Sequence, residues 1–491
     1  MFLFLVLQMK RRQLMYSIFS ASTVAVGSQL VGHQPPRASQ MEIKKTSQKT
    51  STKTDYEVIV IGAGAAGLAA ARSLQDAGRE VLVLEARDRI GGRIYTDYNF
   101  ASHPIERGAE YIQGENIIIW KGIKQYGLKT LPVFEDIKHA FTYFNGKYLS
   151  VKQLYKDSKP KALDFLVSRD SELFELAEQW VKAGKPDTTA AKLLAANNVR
   201  FSPESYRLVD NSFSSEYAAN LQQLGVYGLL EASYEGDGDR NFRLKKGYSH
   251  LLKLFANDLN IRHSTPVSKI IWDSDGVQLQ TDKNETFTAK KVIITVPLAL
   301  LQSNTIVFEP VLPPGKRAAI DGLGIAHVTK LILKFDKPFW SKETEFILTT
   351  LDTQMWWRSG WGRKKEAPVL TAYTGATNAI NFSEMGRDAA INAGLRDLEK
   401  IFKIPLKRRL TDALFVDFRT DPYSQMAYSY VPVGGTGLRK KLAQPVDNIL
   451  FFAGEATNVN RPSTVHGAIE SGLRVAREVL SMKSSMENVR E

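Results

Sequence analysis

One junction constrains this chain more than any other feature. Tyr56-Glu57-Val58-Ile59-Val60-Ile61 is a β-branched run suited to a strand buried on both faces. Gly62-Ala63-Gly64-Ala65-Ala66-Gly67 follows at once, and Leu68-Ala69-Ala70-Ala71-Arg72-Ser73-Leu74 then reads as a helix closing near Gly78. A second strand, Glu80-Val81-Leu82-Val83-Leu84, ends at Glu85. This order of strand, glycine turn, helix and strand is a dinucleotide-binding fingerprint. Gly62 permits the tight turn, Gly64 lets the backbone approach a pyrophosphate, and Gly67 lets the helix pack on the strand. The helix N-terminus, where Ala66 sits, offers free N–H groups and partial positive charge to phosphates. Glu85, 18 residues after Gly67, is placed to accept hydrogen bonds from an adenosine ribose. Other Gly-x-Gly pairs, at Gly236/Gly238, Gly322/Gly324 and Gly435/Gly437, lack the third glycine and that context.

A chain of 491 residues leaves room for two or more lobes around the junction. It has no cysteine, which excludes disulfides, thiolate zinc sites, iron–sulfur clusters, cysteine nucleophiles and any cofactor bound through a thiol. No GxSxG, HExxH or P-loop occurs, so hydrolase, zinc-protease and ATPase readings have no support and no metal is expected. The net charge is +13, yet residues 1–54 alone carry eight of the basic residues against one acid, Glu42. The rest is only mildly basic. Without a dense basic patch interleaved with aromatics, no nucleic-acid partner is expected.

Lys10-Arg11-Arg12 precede an uncharged stretch from Gln13 to Gly32 that is rich in small residues. That order fits an export signal over residues 1–32, and Arg11-Arg12 before Gln13-Leu14 is similar to a twin-arginine signal. Ser, Thr and Gly dilute the stretch too far for a stable membrane span, which needs about 20 strongly apolar residues. A periplasmic or extracellular protein without a span in its mature form is expected, with a cytoplasmic or membrane-tethered one as the alternative. Residues 33–54, with Pro35 and Pro36 followed by Ser, Thr, Lys and Gln, read as a linker.

Past the fingerprint, Glu85-Ala86-Arg87-Asp88-Arg89-Ile90-Gly91-Gly92-Arg93 continues into a second glycine turn with an arginine. A second phosphate-facing loop suits a long, extended FAD. From here the chain resembles the flavin-containing amine oxidases: monoamine oxidases, polyamine oxidases and the flavin-type histone lysine demethylases. The resemblance covers most of residues 55–482. Gly108-Ala109-Glu110-Tyr111-Ile112-Gln113-Gly114 is similar to the loop beneath the flavin ring, and Phe242-Arg243-Leu244-Lys245-Lys246-Gly247-Tyr248 to the re-entry into the FAD domain. Thr265-Pro266-Val267 resembles a segment whose valine backbone contacts adenine. Asp421-Pro422-Tyr423 and Ala427-Tyr428-Ser429-Tyr430 resemble the polyamine-oxidase and demethylase pattern. Phe451-Phe452-Ala453-Gly454-Glu455-Ala456-Thr457 and Ser463-Thr464-Val465-His466-Gly467-Ala468 resemble the C-terminal FAD signature.

The resemblance implies FAD held by Gly62, Gly64, Ala66, Gly67, Glu85, Ala86, Arg87, Gly92, Arg93, Ala109, Glu110, Tyr111, Val267, Tyr423, Gly454, Glu455, Thr464 and Val465. Monoamine oxidases attach FAD through a cysteine near the Tyr428 segment; a chain without cysteine would hold it noncovalently. The implied fold is α/β. A discontinuous Rossmann-like FAD domain with a parallel sheet comes from 55–135, 240–300 and 412–485, and an α+β substrate domain from 136–239 and 301–411.

The resemblance also implies the chemistry. A hydride passes from the carbon beside an amine nitrogen to flavin N5, the imine hydrolyses, and dioxygen is reduced to hydrogen peroxide. Lys330, in Gly324-Ile325-Ala326-His327-Val328-Thr329-Lys330-Leu331, matches the family lysine near N5. A lysine inside an apolar strand is costly unless paired, so its place there needs a reason. Tyr428 corresponds to one wall of an aromatic cage around the amine, and Thr464 stands where monoamine oxidases have the second tyrosine. Gln113 faces substrate in place of the Glu or His of polyamine oxidases. Where L-amino-acid oxidases carry a carboxylate-binding arginine, the matching residue is Tyr111. His466 reads as a structural residue at a helix start rather than a base. Trp356, Trp357 and Trp361 are candidates for the cavity wall, with ordinary packing the alternative. The partners expected are a small amine and dioxygen, and the residues name no oligomeric state. Amino-acid oxidase and flavin amino-acid monooxygenase readings share this evidence, as does a non-catalytic scaffold of the same architecture.

Overall fold

A computed structural model describes residues 54–157, 161–166, 171–232, 234 and 236–487, with side chains to 481. The expected export signal, and the linker save its last residue, lie outside them. The fingerprint folds as β1 (Tyr56–Ile61), α1 (Ala65–Asp76) and β2 (Val81–Leu84). β1 pairs in parallel with β2 on one side and with the strand Thr286–Ile294 on the other. Ile261–Arg262 and Leu450–Phe452 extend the parallel ladder, next to β2 and to Thr286–Ile294 respectively. Such strands are covered on both faces, which is why they read as unbroken apolar runs. Val58, Val60, Val81 and Val83 point into the core that holds α1, while Ile59, Ile61, Leu82 and Leu84 point into the core beneath the opposite face. The C-terminal helix Val465–Glu487 lies against α1. A Cβ on Gly472 would stand 2.2 Å from the Ala66 carbonyl oxygen, so the two backbones touch.

A second sheet has seven strands, in the order Leu410–Asp417, Val328–Phe335, Val369–Gly375, Met355–Arg358, Phe346–Thr349, Ala140–Phe144 and Lys147–Ser150. Leu331, Leu333, Ile347 and Trp356 pack with Phe382, Leu395 and Leu398 of the helices Ala376–Met385 and Arg387–Phe402. Phe346, Leu348, Met355 and Trp357 pack on the other face with helices from 172–217. Strand alternation puts Lys330 on that other face, away from Leu331 and Leu333.

The architecture is α/β, as expected. Two strands lie close to the expected changeovers at 300 and 412. Val307–Glu309 pairs with Val267–Asp273 and so joins the first sheet. Leu410–Asp417 pairs with Val328–Phe335 and joins the second. A ladder between strands far apart in sequence leaves no composition signal at its ends. Among the described residues no helix is long and apolar enough to cross a membrane.

Candidate active site

One cavity of about 670 Å³ is lined by residues from both sheets. That is the size range of a cofactor-and-ligand pocket. Every residue that the resemblance assigned to FAD lines it, with the exception of Gly67. The glycines separate by role. Gly62 has φ +103°, and a Cβ there would press to 2.7 Å from Thr295 Oγ1. At Gly64 a Cβ would meet no protein atom within 4 Å, although the residue faces the cavity. At Gly67 a Cβ would sit 1.9 Å from the Gly62 carbonyl oxygen, which makes it a helix-packing residue behind the turn. The open space over Gly64, beside Gly92, is a cradle that side chains would fill and a pyrophosphate fits. The N-termini of α1 and of the C-terminal helix both open on the cavity, through Ala65 and Ala66 and through Val465 and His466. Free N–H groups at these ends favour negative charge.

Several polar side chains around this end are held by the protein itself. Glu85 accepts from the Ala63 N–H at 2.7 Å and the Arg87 N–H at 2.9 Å, tying the two glycine turns together. A carboxylate has acceptor positions beyond these two, so a ribose hydroxyl can still add to it. Arg87 pairs with Asp421 and lies over the Tyr423 ring. Arg93 donates to the Ala427 carbonyl at 2.6 Å and to Glu455 at 3.1 Å, which gives it a bracing role rather than a free phosphate-facing one. Glu455 also accepts from Ser429 Oγ at 2.7 Å.

Thr464 has a structural part beside its expected ones. It lines the cavity, and its hydroxyl accepts from the Gly467 N–H at 2.9 Å and donates to the Arg461 carbonyl at 2.9 Å. That is an N-cap on the C-terminal helix. His466 is buried beside Asp237, with Nε2 and the carboxylate 3.5 Å apart, at the same helix start.

Lys330 and Tyr428 both line the cavity and are linked through Tyr373. Lys330 is only 4% exposed. Its Nζ donates to the Glu106 carbonyl at 3.1 Å, the Gly108 carbonyl at 2.8 Å and the Glu110 carboxylate at 3.2 Å. Glu110 also accepts from Arg243 Nε at 2.9 Å and Trp357 Nε1 at 3.1 Å. The resemblance assigns it to the cofactor; it lines the cavity, and its hydrogen bonds run to the lysine side. Tyr111 donates nothing to Arg243; its hydroxyl accepts from the guanidinium at 2.9 Å.

Tyr428 donates to the Glu216 carbonyl at 3.0 Å and lies 2.8 Å from the Tyr373 hydroxyl. A phenol has one hydrogen, so Tyr373 is the donor to Tyr428. Burial raises both phenols above their usual range, Tyr428 furthest, and both stay neutral donors. Tyr373 was missed from the sequence. It sits directly across from Lys330 in the antiparallel ladder, on the same face. With Trp357, whose ring is 5.9 Å from that of Tyr373, it supplies the aromatic wall that position 464 does not. Gln113 lines the cavity from the short strand Ile112–Gln113. Of the three tryptophans, only Trp357 reaches the cavity, while Trp356 belongs to the core behind the sheet.

Burial, reinforced by Glu110, pushes the Glu106 carboxyl up from 4.5 to about 8, against hydrogen bonds from the Tyr248 N–H and Thr96. Unfolded, the same group ionises near its ordinary value. Between about pH 5 and 8 the folded chain therefore binds the extra proton, and stability from this group falls as pH rises. Glu106→Gln removes the titration. Relative to wild type, the variant should gain on the order of 2–4 kcal/mol across that window. Melting temperatures at both ends of the window check this, and a difference that does not change with pH contradicts it.

A sequence model of the family described as flavin containing amine oxidoreductase matches residues 65–480. Polyamine oxidase 2 of Arabidopsis thaliana is 32% identical over 441 residues, which cover 86% of this chain and 87% of that protein. The human lysine-specific histone demethylase 2 is 30% identical over 466 residues, and the match spans 86% of this chain but 53% of the demethylase. Among solved structures, cyclohexylamine oxidase from Brevibacterium oxydans superimposes with a TM-score of 0.75 at 23% identity, covering 88% of this chain and 100% of that one; it supports the fold. A family match of that span, with a relative at 32% identity along most of its length, means that this chain belongs to the flavin-containing amine oxidoreductases, FAD-dependent enzymes that act on amines.

Proposed function

We propose that this protein is an amine oxidase whose substrate is a small amine without a carboxylate, and whose final electron acceptor is dioxygen. When bound, FAD supplies the chemistry, taking a hydride from the carbon beside the amine nitrogen and passing the electrons to dioxygen. The protein supplies position and charge. The glycine cradle, the two helix N-termini and the Glu85 and Glu455 networks would hold the cofactor without a covalent bond, since the chain has no cysteine. The Tyr373–Tyr428 pair and Trp357 form a neutral aromatic wall where a deprotonated amine can approach. Lys330 holds a positive charge on the same face of the sheet.

The observation that carries this reading is Lys330 buried at the aromatic end of a cavity whose other end is the glycine cradle. The choice of a plain amine over an amino acid rests on the arginines. Arg87, Arg93 and Arg439 line the cavity, and all three are engaged: with Asp421, with Glu455 and Ala427, and with Ser429. Arg439 Nε is left without a partner, but a single N–H cannot make the bidentate pair an arginine forms with a carboxylate. Product stoichiometry tests the proposal. One carbonyl product and one hydrogen peroxide per dioxygen consumed support an oxidase. An amide product without peroxide would point to a monooxygenase. Export, read from Arg11-Arg12, is part of the proposal, and the cell fraction in which yellow protein accumulates tests it.

A further inference from the structure

The lysine end of the cavity holds more fixed charge than Lys330 alone. Glu110 and Arg243 are 5% and 3% exposed at their side chains, and Lys330 is 4% exposed. Charges this dry are tolerated only when paired and fully hydrogen-bonded. The hydrogen bonds close. An ammonium has three N–H donors and no lone pair. Lys330 directs its three donors at the Glu106 carbonyl, the Gly108 carbonyl and Glu110 Oε2. A lysine so satisfied offers no acceptor for a proton. All three contacts are oxygen acceptors, so every N–H of the ammonium is satisfied.

Glu110 is the one anion in that set. Its other oxygen joins Arg243 and Trp357, so one carboxylate braces two cations. Glu106 presents its carbonyl to Lys330, while its own carboxyl is turned to Tyr248 and Thr96. The remaining titratable neighbours are Tyr373 across the ladder, Tyr111 on Arg243, and Glu345 and Arg363, which act on Arg243 from farther strands and loops. If Glu110 lost its charge, Lys330 would keep two carbonyls and lose the one carboxylate its ammonium contacts. A cation left in so dry a place without its paired anion is disfavoured.

We infer that Glu110 is a positioning residue that locks Lys330 as a fixed cation on the cavity wall, so that Lys330 acts as a charge and not as a base. The inference rests on the amine-oxidase reading of this cavity. It assigns Glu110 a part in tuning the bound cofactor through Lys330, not by touching it. Loss of a positive charge there makes electron acceptance harder.

The experiment uses FAD-loaded wild type and, in a Glu106→Gln background that removes the neighbouring carboxyl pushed up to about 8, the parent, Glu110→Gln, Glu110→Asp, Lys330→Met and the Glu110→Gln/Lys330→Met pair. Anaerobic reduction by an amine is followed across about pH 6 to 9, and each variant is divided by its parent to cancel ionisation of the amine itself. The flavin midpoint potential is measured by dithionite titration over the same range. For Glu110→Gln the rate ratio should fall at least tenfold from the acid to the alkaline end, and the potential should drop below that of its parent in step. Glu110→Asp, which keeps the carboxylate, should stay flat. In the Lys330→Met background, adding Glu110→Gln should also give a flat ratio, because the group it acts through is gone. A flat ratio for Glu110→Gln in the Lys330 background overturns the inference. If Glu110→Gln alone does not hold FAD, the Lys330→Met pair decides: a pH-dependent ratio there overturns it, and a flat one supports it. A wild type that no amine reduces would instead sink the amine-oxidase reading, and the dithionite potentials would still decide the role of Glu110.

Discussion

Lys330→Met is expected to slow amine turnover about 100- to 1000-fold, the usual loss when one fixed electrostatic group is taken from a dry active site. Methionine fits the volume of the lysine stem, so the strand Val328–Phe335 should keep its place between its two neighbours. What it removes is a charge with three acceptors waiting for it. Glu110 retains Arg243 and Trp357, so the buried carboxylate is not stranded. The carbonyls of Glu106 and Gly108 lose a donor, at about 1–3 kcal/mol each. The protein should therefore fold and load FAD. Stopped-flow measurement of flavin reduction by amine, and separately of reoxidation by dioxygen, reads the effect. Unchanged rates in both half-reactions would remove Lys330 from the mechanism.

The second large effect separates two glycines that a motif treats alike. Gly64→Val is expected to fold and to lose FAD. Its backbone is extended, with φ −77° and ψ −177°, which any residue adopts, and its Cβ meets no protein atom within 4 Å. The added side chain would occupy only the cradle. Gly67→Val is expected to fail earlier. Its Cβ would lie 1.9 Å from the Gly62 carbonyl oxygen, a backbone atom that cannot move aside without shifting α1 off β1. A loss of several kcal/mol follows from such overpacking, with little folded protein recovered. Circular dichroism, melting temperature and the FAD-to-protein ratio distinguish the two. Equal stability of the two variants would contradict this division of roles.

The same contrast shows what was legible in the sequence. The fingerprint is local, so β1, α1, β2 and the duties of Gly62, Gly64 and Gly67 could be read from spacing alone. Lys330 and Tyr428 took on roles only through family resemblance: a lysine in an apolar strand signals that it must be paired, not what it does. Tyr373 was hidden for a plain reason. Its place opposite Lys330 depends on the register of two strands about forty residues apart in the chain, and register is a tertiary property. Thr464 carried a readable signal that was passed over: a threonine just ahead of a helix is a common cap. Glu110 lay in the right loop, but its partners Arg243, Trp357 and Lys330 come from three separate strands. Val307–Glu309 and Leu410–Asp417 owe their sheet membership to distant ladder partners, which no local composition marks.

The most direct test is to mix the yellow protein anaerobically with a panel of monoamines, polyamines and amino acids, then admit dioxygen. Bleaching of the flavin by an amine without a carboxylate, followed by return of colour and release of hydrogen peroxide, is the predicted result. A protein that binds FAD but is bleached by no amine, or only by amino acids, would contradict it.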